Sequence, residues 1–111
     1  MPAADPADAV FSALADGTRR DLFALLGRHG EASATDLARE LPVSRQAVQK
    51  HLGLLADAGL VAARRSGREV LYHPTPGPMS EALEWMAAVG HQWDDRLAAL
   101  ERQLASRRTS A

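Results

Sequence analysis

The sequence predicts a mostly α-helical domain of five helices with one small β-hairpin. Apolar residues recur at helical spacings of three and four through most of the chain, and residues that cap or end helices separate these runs. One later stretch, residues 60–74, instead carries strand-forming residues around a turn pair. With 111 residues and 46% hydrophobic content, the chain suffices for a single domain, residues 1–111, but not for two.

The first two helices are expected to follow each other closely. Apolar residues predict the first helix over about residues 5–15, ending near Gly17. Thr18 with Asp21 three residues later has the form of a capping box, which predicts that the second helix begins there. The apolar stripe of this helix continues until Gly30, where the helix is expected to end.

A tight turn joins the next two helices. Ser33 followed by Asp36 repeats the capping signal and opens a short third helix, which Pro42 ends. Ser44 caps a longer fourth helix, and Gly59 stands at its expected stop position. A short helix, a tight turn and a second capped helix together predict a helix-turn-helix.

A two-stranded β-hairpin is predicted after the fourth helix. Val61, Val70 and Tyr72 favour strands, and the pair Ser66 and Gly67 between them is predicted to form the tight turn. Because Val70 and Tyr72 alternate onto one face, we expect them to form the core of the hairpin. A hairpin at this place makes the predicted fold a winged helix-turn-helix, with the hairpin as the wing.

The last helix, over about residues 79–105, carries a different apolar stripe. Its apolar residues alternate at spacings of four and three, the pattern of a helix that packs along a partner helix. A monomer would leave several of these side chains exposed, so we expect a dimer interface here, followed by a frayed tail over residues 106–111. The predicted interface residues are Met79, Leu83, Met86, Gly90, Trp93, Leu97, Leu100 and Leu104.

Polar residues cluster on one face of the fourth helix. On a helical wheel, Arg45, Gln46, Gln49 and Lys50 share the arc opposite the apolar residues, and Lys50 is the only lysine in the chain. In the major groove of DNA, Arg can pair with guanine and Gln with adenine, while Lys can reach either guanine or a nearby phosphate. This face is therefore predicted to contact DNA, the alternative being an ordinary solvated face. Ser44 can cap the helix while a phosphate approaches the same amides.

Three arginines surround the turn of the hairpin, namely Arg64, Arg65 and Arg68. Charges on an edge strand can simply discourage aggregation, but beside a recognition helix these arginines are predicted to contact phosphate or the minor groove. His51, in contrast, falls within the apolar arc of the fourth helix. We expect it to be a partly buried structural histidine rather than a reader of bases.

Positive charge is concentrated around this predicted DNA-binding surface. The net charge of −1 argues against a protein that coats nucleic acid non-specifically. Residues 44–73 nonetheless hold five positive side chains against two negative ones, whereas residues 78–105 hold two against five. The chain is therefore polarised, with the predicted DNA contacts in its basic part.

The sequence lacks the residues that several classes of function require. The absence of cysteine excludes disulfides, thiolate metal sites and cysteine nucleophiles. The four histidines are scattered and no phosphate-binding loop or nucleophile motif is present, so neither an enzyme nor a cofactor is expected. The sequence shows no export signal and no run of about 18 apolar residues, so we expect a cytoplasmic protein without membrane contact.

Three segments of the chain resemble the ArsR-type winged-helix transcriptional regulators. They are LADGTRRDLFALL, SATDLARELPVSRQAVQKHLGLLADAGLV and RRSGREVLYH, and together they cover most of the chain. The resemblance implies a homodimer, joined by the first and last helices, that binds an imperfect palindrome in a promoter and usually represses it. It also implies that the helix from Arg45 lies in the major groove and that the tip from Arg65 to Arg68 belongs to the wing.

Many members of this family sense metals, but this chain lacks their ligand patterns. His91 and Asp94 alone offer too few donors for a strong zinc site, so no metal site is predicted. The segment HQWDDRLAALERQL is more similar to the metal-independent branch of the family. The sequence identifies no small-molecule effector, since Trp85, Met86 and Trp93 are expected to be core residues rather than the lining of a pocket.

The predicted function is therefore sequence-specific binding of double-stranded DNA by a homodimeric transcriptional repressor. Two-fold symmetry would set the two recognition helices roughly 34 Å apart, about one turn of DNA, on a pseudo-palindromic operator. The alternative is a winged-helix module that binds another protein and not DNA.

Overall fold

Five α-helices and three short β-strands make up residues 6–109, the part of the chain that the computed structural model describes. The five predicted helices are confirmed, while residue 5 of the predicted first helix and residues 110–111 of the predicted tail lie outside the described residues. The elements are α1 (Pro6–Leu14), α2 (Gly17–His29), β1 (Ala32–Ser33), α3 (Ala34–Glu40), α4 (Arg45–Asp57), β2 (Val61–Ser66), β3 (Glu69–Pro74) and α5 (Met79–Thr109).

The hydrophobic core lies among the first four helices and the base of the sheet. Helical spacing of leucines and valines in α2 and α4 places their apolar faces inward, and each fully buried Leu or Val contributes about 1.5–3 kcal/mol through burial. From α5, in contrast, the core includes the small side chain of Ala82, in the second turn. The large side chains that are fully buried are Val10, Leu22, Leu26, Leu37, Val48, Leu52, Leu55 and Leu60.

Charged side chains hold the corner between α1 and α2. The Nε atom of Arg19 donates to the carbonyl oxygen of Ala13 at 2.6 Å, and Arg20 Nη1 donates to the carbonyl oxygen of Leu14 at 2.7 Å. Carbonyls at the end of a helix have no partner within that helix, so these two arginines satisfy groups that would otherwise need water.

The predicted start of α2 at Thr18 is wrong, because α2 begins at Gly17 with Asp16 as its N-cap. The Asp16 carboxylate accepts a hydrogen bond from the backbone amide of Arg19 at 3.1 Å, and this bond lowers the pKa of Asp16. Aspartate ranks among the strongest N-cap residues. The cap is therefore two residues earlier than the capping-box pattern of Thr18 and Asp21 indicated.

The caps predicted for the helix-turn-helix are confirmed. The Oγ atom of Ser33 accepts from the amide of Asp36 at 3.1 Å, and that of Ser44 accepts from the amide of Ala47 at 3.1 Å. At the other end of α4, Gly59 adopts a φ of 78°, a left-handed conformation that favours glycine.

The backbone after α4 closes a Schellman motif. The amide of Leu60 donates to the carbonyl of Leu55 at 3.0 Å, and the amide of Gly59 donates to that of Ala56 at 2.9 Å. Leu60 is fully buried beside this motif, so the chain enters the sheet in a fixed direction.

The wing is a three-stranded antiparallel sheet in the order β1-β3-β2, which corrects the predicted two-stranded hairpin. In the additional pairing, Ala32 lies opposite Tyr72 and Ser33 lies opposite Leu71. A two-residue strand is too short to show the alternation by which strands are identified in a sequence. The third strand ties the wing to the start of α3.

The turn of the wing lies one residue later than predicted. Ser66 belongs to β2 and pairs with Glu69, so the two-residue turn consists of Gly67 and Arg68 rather than Ser66 and Gly67. Gly67 has a φ of 60°, whereas no non-glycine residue in the described part of the chain has a positive φ. A positive φ at the first turn position alone is the pattern of a type II′ turn, which suits a hairpin.

Val70 does not form the core of the hairpin as predicted, since 39% of it is exposed. Tyr72 lies on the same face and packs against the hydrophobic core. The difference arises because Val70 pairs with Arg65 near the tip of the hairpin, beyond the reach of the core beneath Tyr72.

Helix α5 packs against α1 near its start and then projects from the domain. The rings of Phe11 and Trp85 meet edge to face with their centroids 5.7 Å apart. The helix continues through Gly90 without interruption to Thr109, so residues 106–109 are helical rather than frayed as predicted. This projection gives the described residues a longest dimension of 75 Å.

Replacing a buried leucine of α4 should destabilise the domain strongly. We expect Leu52→Ala to lower the free energy of unfolding by about 2–5 kcal/mol, because it leaves a cavity in the core. Leu54→Ala on the same helix is the matched control, since Leu54 is 40% exposed and its truncation should cost only about 0.5 kcal/mol. Urea denaturation followed by circular dichroism measures both, and equal losses would contradict the described core.

Candidate nucleic-acid interface

The polar face of α4 is presented to solvent. Arg45, Gln46, Gln49 and Lys50 are all exposed, and none of the four forms a side-chain hydrogen bond or ion pair with another described residue. The opposite side of α4 is fixed in the core through its buried valine and leucines. These four side chains are therefore held on one surface while their polar groups are available for contacts outside the chain.

The first turn of α4 adds backbone donors to this surface. Ser44 is exposed and binds the amide of Ala47. The remaining amides at a helix start point outward and carry a partial positive charge, so a phosphate group is favoured there.

The wing presents Arg65 and Arg68 to solvent beside α4. Both are exposed, and neither side chain forms a hydrogen bond or ion pair within residues 6–109. Arg65 lies near the end of β2 and Arg68 lies within the turn itself, so both are at the tip of the wing.

Arg64 is placed differently from the other two arginines of the wing. Its Nε donates to Glu31 Oε2 at 2.7 Å and its Nη2 donates to Glu31 Oε1 at 2.5 Å, a bidentate ion pair. The hydrogen bonds of Arg64 hold the pKa of Glu31 below its usual value, and Glu31 in turn raises the pKa of Arg64. The Nδ1 atom of His73 lies 3.9 Å from the same carboxylate. Arg64 therefore connects the wing to the segment before β1.

A cleft of about 180 Å³ joins the helix-turn-helix to the wing. Arg45 and Gln49 from α4 and Arg68 from the turn of the wing line it together. Thr35 of α3 and Tyr72 of β3 also contribute, although the sequence did not single them out as site residues. Their contribution depends on the pairing of β1 with β3, which the sequence pattern did not reveal.

His51 lies on the inner side of α4, half-buried, in keeping with its place in the apolar arc. Its Nδ1 atom is 3.4 Å from Nη1 of Arg19, the residue that also caps the end of α1. This contact links α4 to the corner between α1 and α2.

The apolar stripe of α5 is largely exposed in the protomer. Met79 packs partly against the core, but the larger apolar side chains that follow are between 46% and 58% exposed. Trp85, Met86 and Trp93 are among them, so the expectation that these three are core residues of the chain is wrong. The exposed stripe side chains are Leu83, Met86, Trp93, Leu97, Leu100 and Leu104.

Between residues 6 and 109, no group of three or more His, Asp or Glu side chains is arranged to hold a metal ion. No helix in the same range is long and apolar enough to cross a membrane.

Comparison with known proteins agrees with this geometry. A family model described as a helix-turn-helix domain matches residues 14–64. The arsenical resistance operon repressor of Escherichia coli is 31% identical over 101 residues, which cover 91% of this chain and 86% of that protein. The transcriptional regulator Rv2034 of Mycobacterium tuberculosis is 46% identical over 69 residues, 62% of this chain. The chain spans 64% of that relative's length.

Solved structures show the same fold. An ArsR-like transcriptional regulator from Rhodococcus sp. RHA1 is 40% identical, with a TM-score of 0.71 and coverage of 87% of this chain and 91% of that one. The homodimeric winged helix-turn-helix DNA-binding domain of Mb0332 from Mycobacterium bovis is 28% identical, with a TM-score of 0.61 and coverage of 84% and 82%. The fold and the exposed α4 face are those of a winged helix-turn-helix transcriptional regulator. The chain belongs to the ArsR family of such regulators.

The ion pair of Glu31 and Arg64 predicts a pH dependence of stability. Because the pKa of Glu31 is lowered from 4.5, its charged form stabilises the folded state above that pH, and the stabilisation is lost as pH falls through the lowered pKa. We expect Glu31→Gln to be less stable than the natural protein at pH 7, and this difference should shrink as pH falls through the lowered pKa of Glu31.

Urea denaturation at a series of pH values measures this difference in the free energy of unfolding. Glu84→Gln is the control, since Glu84 is exposed on α5 and its replacement should change little at any pH in the series. A difference between the Glu31 variant and the natural protein that stayed constant through the acid range, down to the pH at which the folded protein unfolds, would rule out the ion pair as its cause.

Proposed function

We propose that the chain is a homodimeric repressor that binds a pseudo-palindromic promoter operator. The N-terminal half of α4 lies in the major groove, with Arg45, Gln46, Gln49 and Lys50 toward the base edges and Ser44 beside a phosphate. The tip of the wing contacts the adjacent backbone or minor groove.

The observation that carries this proposal is the shared cleft of α4 and the wing. Arg45, Gln49 and Arg68 come from two separate elements and line one concave surface. A merely solvated helix face gives no reason for a second basic element to converge on it. DNA gives such a reason, because the protein must contact the base edges in the major groove and the flanking phosphates at the same time.

The three arginines of the wing have different roles in this proposal. Arg65 and Arg68 contact DNA, since their charges have no partner among the described residues. The charge of Arg64 is already balanced by Glu31. Arg64 therefore positions the wing, and any DNA contact it makes comes second to that ion pair.

Dimerisation is supported by the exposed apolar stripe of α5. Monomeric proteins rarely leave large contiguous apolar surfaces in water. The Mycobacterium bovis relative is described as homodimeric, and a two-fold axis would present two copies of α4 about one turn of DNA apart.

The proposed repressor is independent of metal. The name of the Escherichia coli relative refers to arsenical resistance, but thiolate ligation is impossible in a chain without cysteine. His91 and Asp94 lie on exposed turns of α5 and form no larger donor group within the described residues. Release from DNA therefore depends on protein level or on an effector other than a thiolate-bound metal.

Removal of two cations from the α4 face should weaken specific DNA binding strongly. We expect Arg45→Ala/Lys50→Ala to weaken binding to the DNA upstream of its own gene at least tenfold, because each contact contributes about 1–3 kcal/mol. If both residues instead hold phosphates, the slope of log affinity against log salt should become shallower by about two. Fluorescence anisotropy with a labelled duplex measures affinity and slope together.

The charge-matched control is Arg102→Ala/Arg108→Ala, which removes two arginines from the far end of α5. Equal loss in both double variants would mean that net charge and not the α4 face determines binding. If the natural protein failed to bind its own upstream DNA even at low salt, the module would have to act through a protein partner instead.

A charge within the α5 stripe should separate the protomers. Leu97 is 53% exposed in the protomer, so Leu97→Glu is expected to leave the fold intact while opposing burial in a dimer. Sedimentation equilibrium should show a monomer and DNA affinity should fall. Arg102→Glu places the same residue on the outer face of the helix, and dimerisation of that variant should be unchanged. A dimeric Leu97 variant would contradict the proposed interface.

A further inference from the structure

A cavity of about 320 Å³ lies between α1 and α5 and shares no residue with the cleft at the DNA-binding surface. Ala7, Asp8 and Phe11 of α1 line it together with Trp85 of α5. Ala7 and Phe11 are one helical turn apart, and Asp8 stands beside them in the first turn of α1. The cavity therefore offers a small molecule two aromatic rings, an apolar floor and one carboxylate.

Phe11 and Trp85 form an aromatic corner. Their ring centroids are 5.7 Å apart and their planes meet at 69°. Trp85 is 58% exposed, so much of its surface remains free after this contact. Its indole N–H has no hydrogen bond to another described residue. Because the face of an aromatic ring carries partial negative charge, the free part of this corner attracts cations.

The second tryptophan of the chain already holds a cation. Trp93 is also 58% exposed, and the guanidinium carbon of Arg96 lies 5.9 Å from its ring centroid. No lysine or arginine of the described chain lies over Trp85 in this way. Arg96 is the first arginine after Trp85 on α5, roughly 16 Å further along the helix axis. A cation for Trp85 has to come from outside the chain.

The charge around the cavity favours a cation over a neutral ligand. The side chain of Asp8 is exposed and forms no ion pair within residues 6–109. Glu81, also exposed, lies one turn before Trp85 on the same side of α5. Residues 6–18 and 69–95 contain no lysine or arginine. Asp8 also complements the dipole of α1, but that role does not require an aromatic corner beside it.

The cavity and the exposed apolar stripe lie on different sides of α5. Trp85 and Met86 are consecutive residues, so they point about 100° apart around the helix. Ala82, which is buried against the domain, lies between these two directions. A second copy of the chain that covers the stripe therefore does not fill the cavity through that contact.

We propose that this cavity binds an organic cation with an apolar body, of the arylalkyl ammonium class. The ammonium group lies against Trp85 and Asp8, and the apolar body lies against Phe11 and Ala7. A quaternary ammonium group fits this chemistry because it is attracted to aromatic faces and carboxylates without needing a hydrogen-bond acceptor. The ligand bridges α1 and α5 and acts as the effector of the repressor, and this regulatory part alone rests on the proposed function.

Nuclear magnetic resonance of the ¹⁵N-labelled full chain tests the site, with benzyltrimethylammonium as the probe. The two tryptophans give two indole N–H signals, which Trp93→Phe assigns. The Trp85 signal should shift and saturate, whereas the Trp93 signal should move little because Arg96 already lies over that ring. N,N-dimethylbenzamide, a neutral analogue of similar size, should bind about fivefold more weakly or worse, since it lacks the cation.

Two results of this titration would overturn the proposal. One is an unmoved Trp85 signal at about 10 mM probe, which would exclude even a weak site. The other is equal affinity for the probe and its neutral analogue, which would mean that the cavity is merely apolar.

Substitution of the lining residues locates the bound charge. Asp8→Asn keeps the shape of the side chain and should weaken probe binding about threefold or more through loss of its charge. Asp94→Asn is the matched control, since Asp94 is an exposed carboxylate more than two turns beyond Trp85 on α5. Trp85→Leu should weaken binding about fivefold or more, with circular dichroism confirming that the variant is folded. Full affinity in both the Asp8 and the Trp85 variants would place the probe elsewhere and overturn the site.

The effector role is tested separately from the site. Saturating probe should change the affinity for the upstream DNA about threefold or more in the natural protein but not in Trp85→Leu, with sodium chloride at equal concentration as the control for ionic strength. Binding of the probe with no change in DNA affinity would overturn the effector role and leave the cation site standing. A protein that bound the probe but not DNA would overturn the proposed function and the effector role, but not the site.

Discussion

Burial of one face of α4 is the constraint on which the rest of the structure depends. Val48, Leu52 and Leu55 are fully buried, and helical geometry then forces the opposite arc into water. The serine cap fixes where the helix begins, and the Schellman motif fixes how the chain leaves it. The direction in which Gln49 and Lys50 point is therefore set by hydrophobic packing on the other side of the helix.

Strand pairing and an ion pair, rather than hydrophobic packing, fix the position of the wing. Its third strand ties it to the start of α3, and Glu31 binds Arg64 in a bidentate ion pair. A charge-assisted pair of this kind orients two elements more than it stabilises them, because it lies near the surface. The result is that Arg68 joins Arg45 in one cleft without any direct bond between the wing and α4 among the described side chains.

Much of the fold could be predicted from local signals. Caps at Ser33 and Ser44 and the stop at Gly59 are local, and helical spacing located the buried face of α4. The two-residue strand β1, the ion pair of Glu31 and the exposure of Val70 could not be predicted, because each depends on partners distant in sequence. For the site, the sequence identified the exposed side chains but not the cleft that unites them.

In vitro selection from a pool of random duplexes tests most directly the claim that two copies of the α4 face read a two-fold DNA site. The predicted result is an inverted repeat whose half-sites are centred about 10 base pairs, one helical turn, apart. Enrichment of a single half-site or a direct repeat would contradict the two-fold arrangement. Recovery of no preferred sequence at low salt would contradict base reading by α4 altogether.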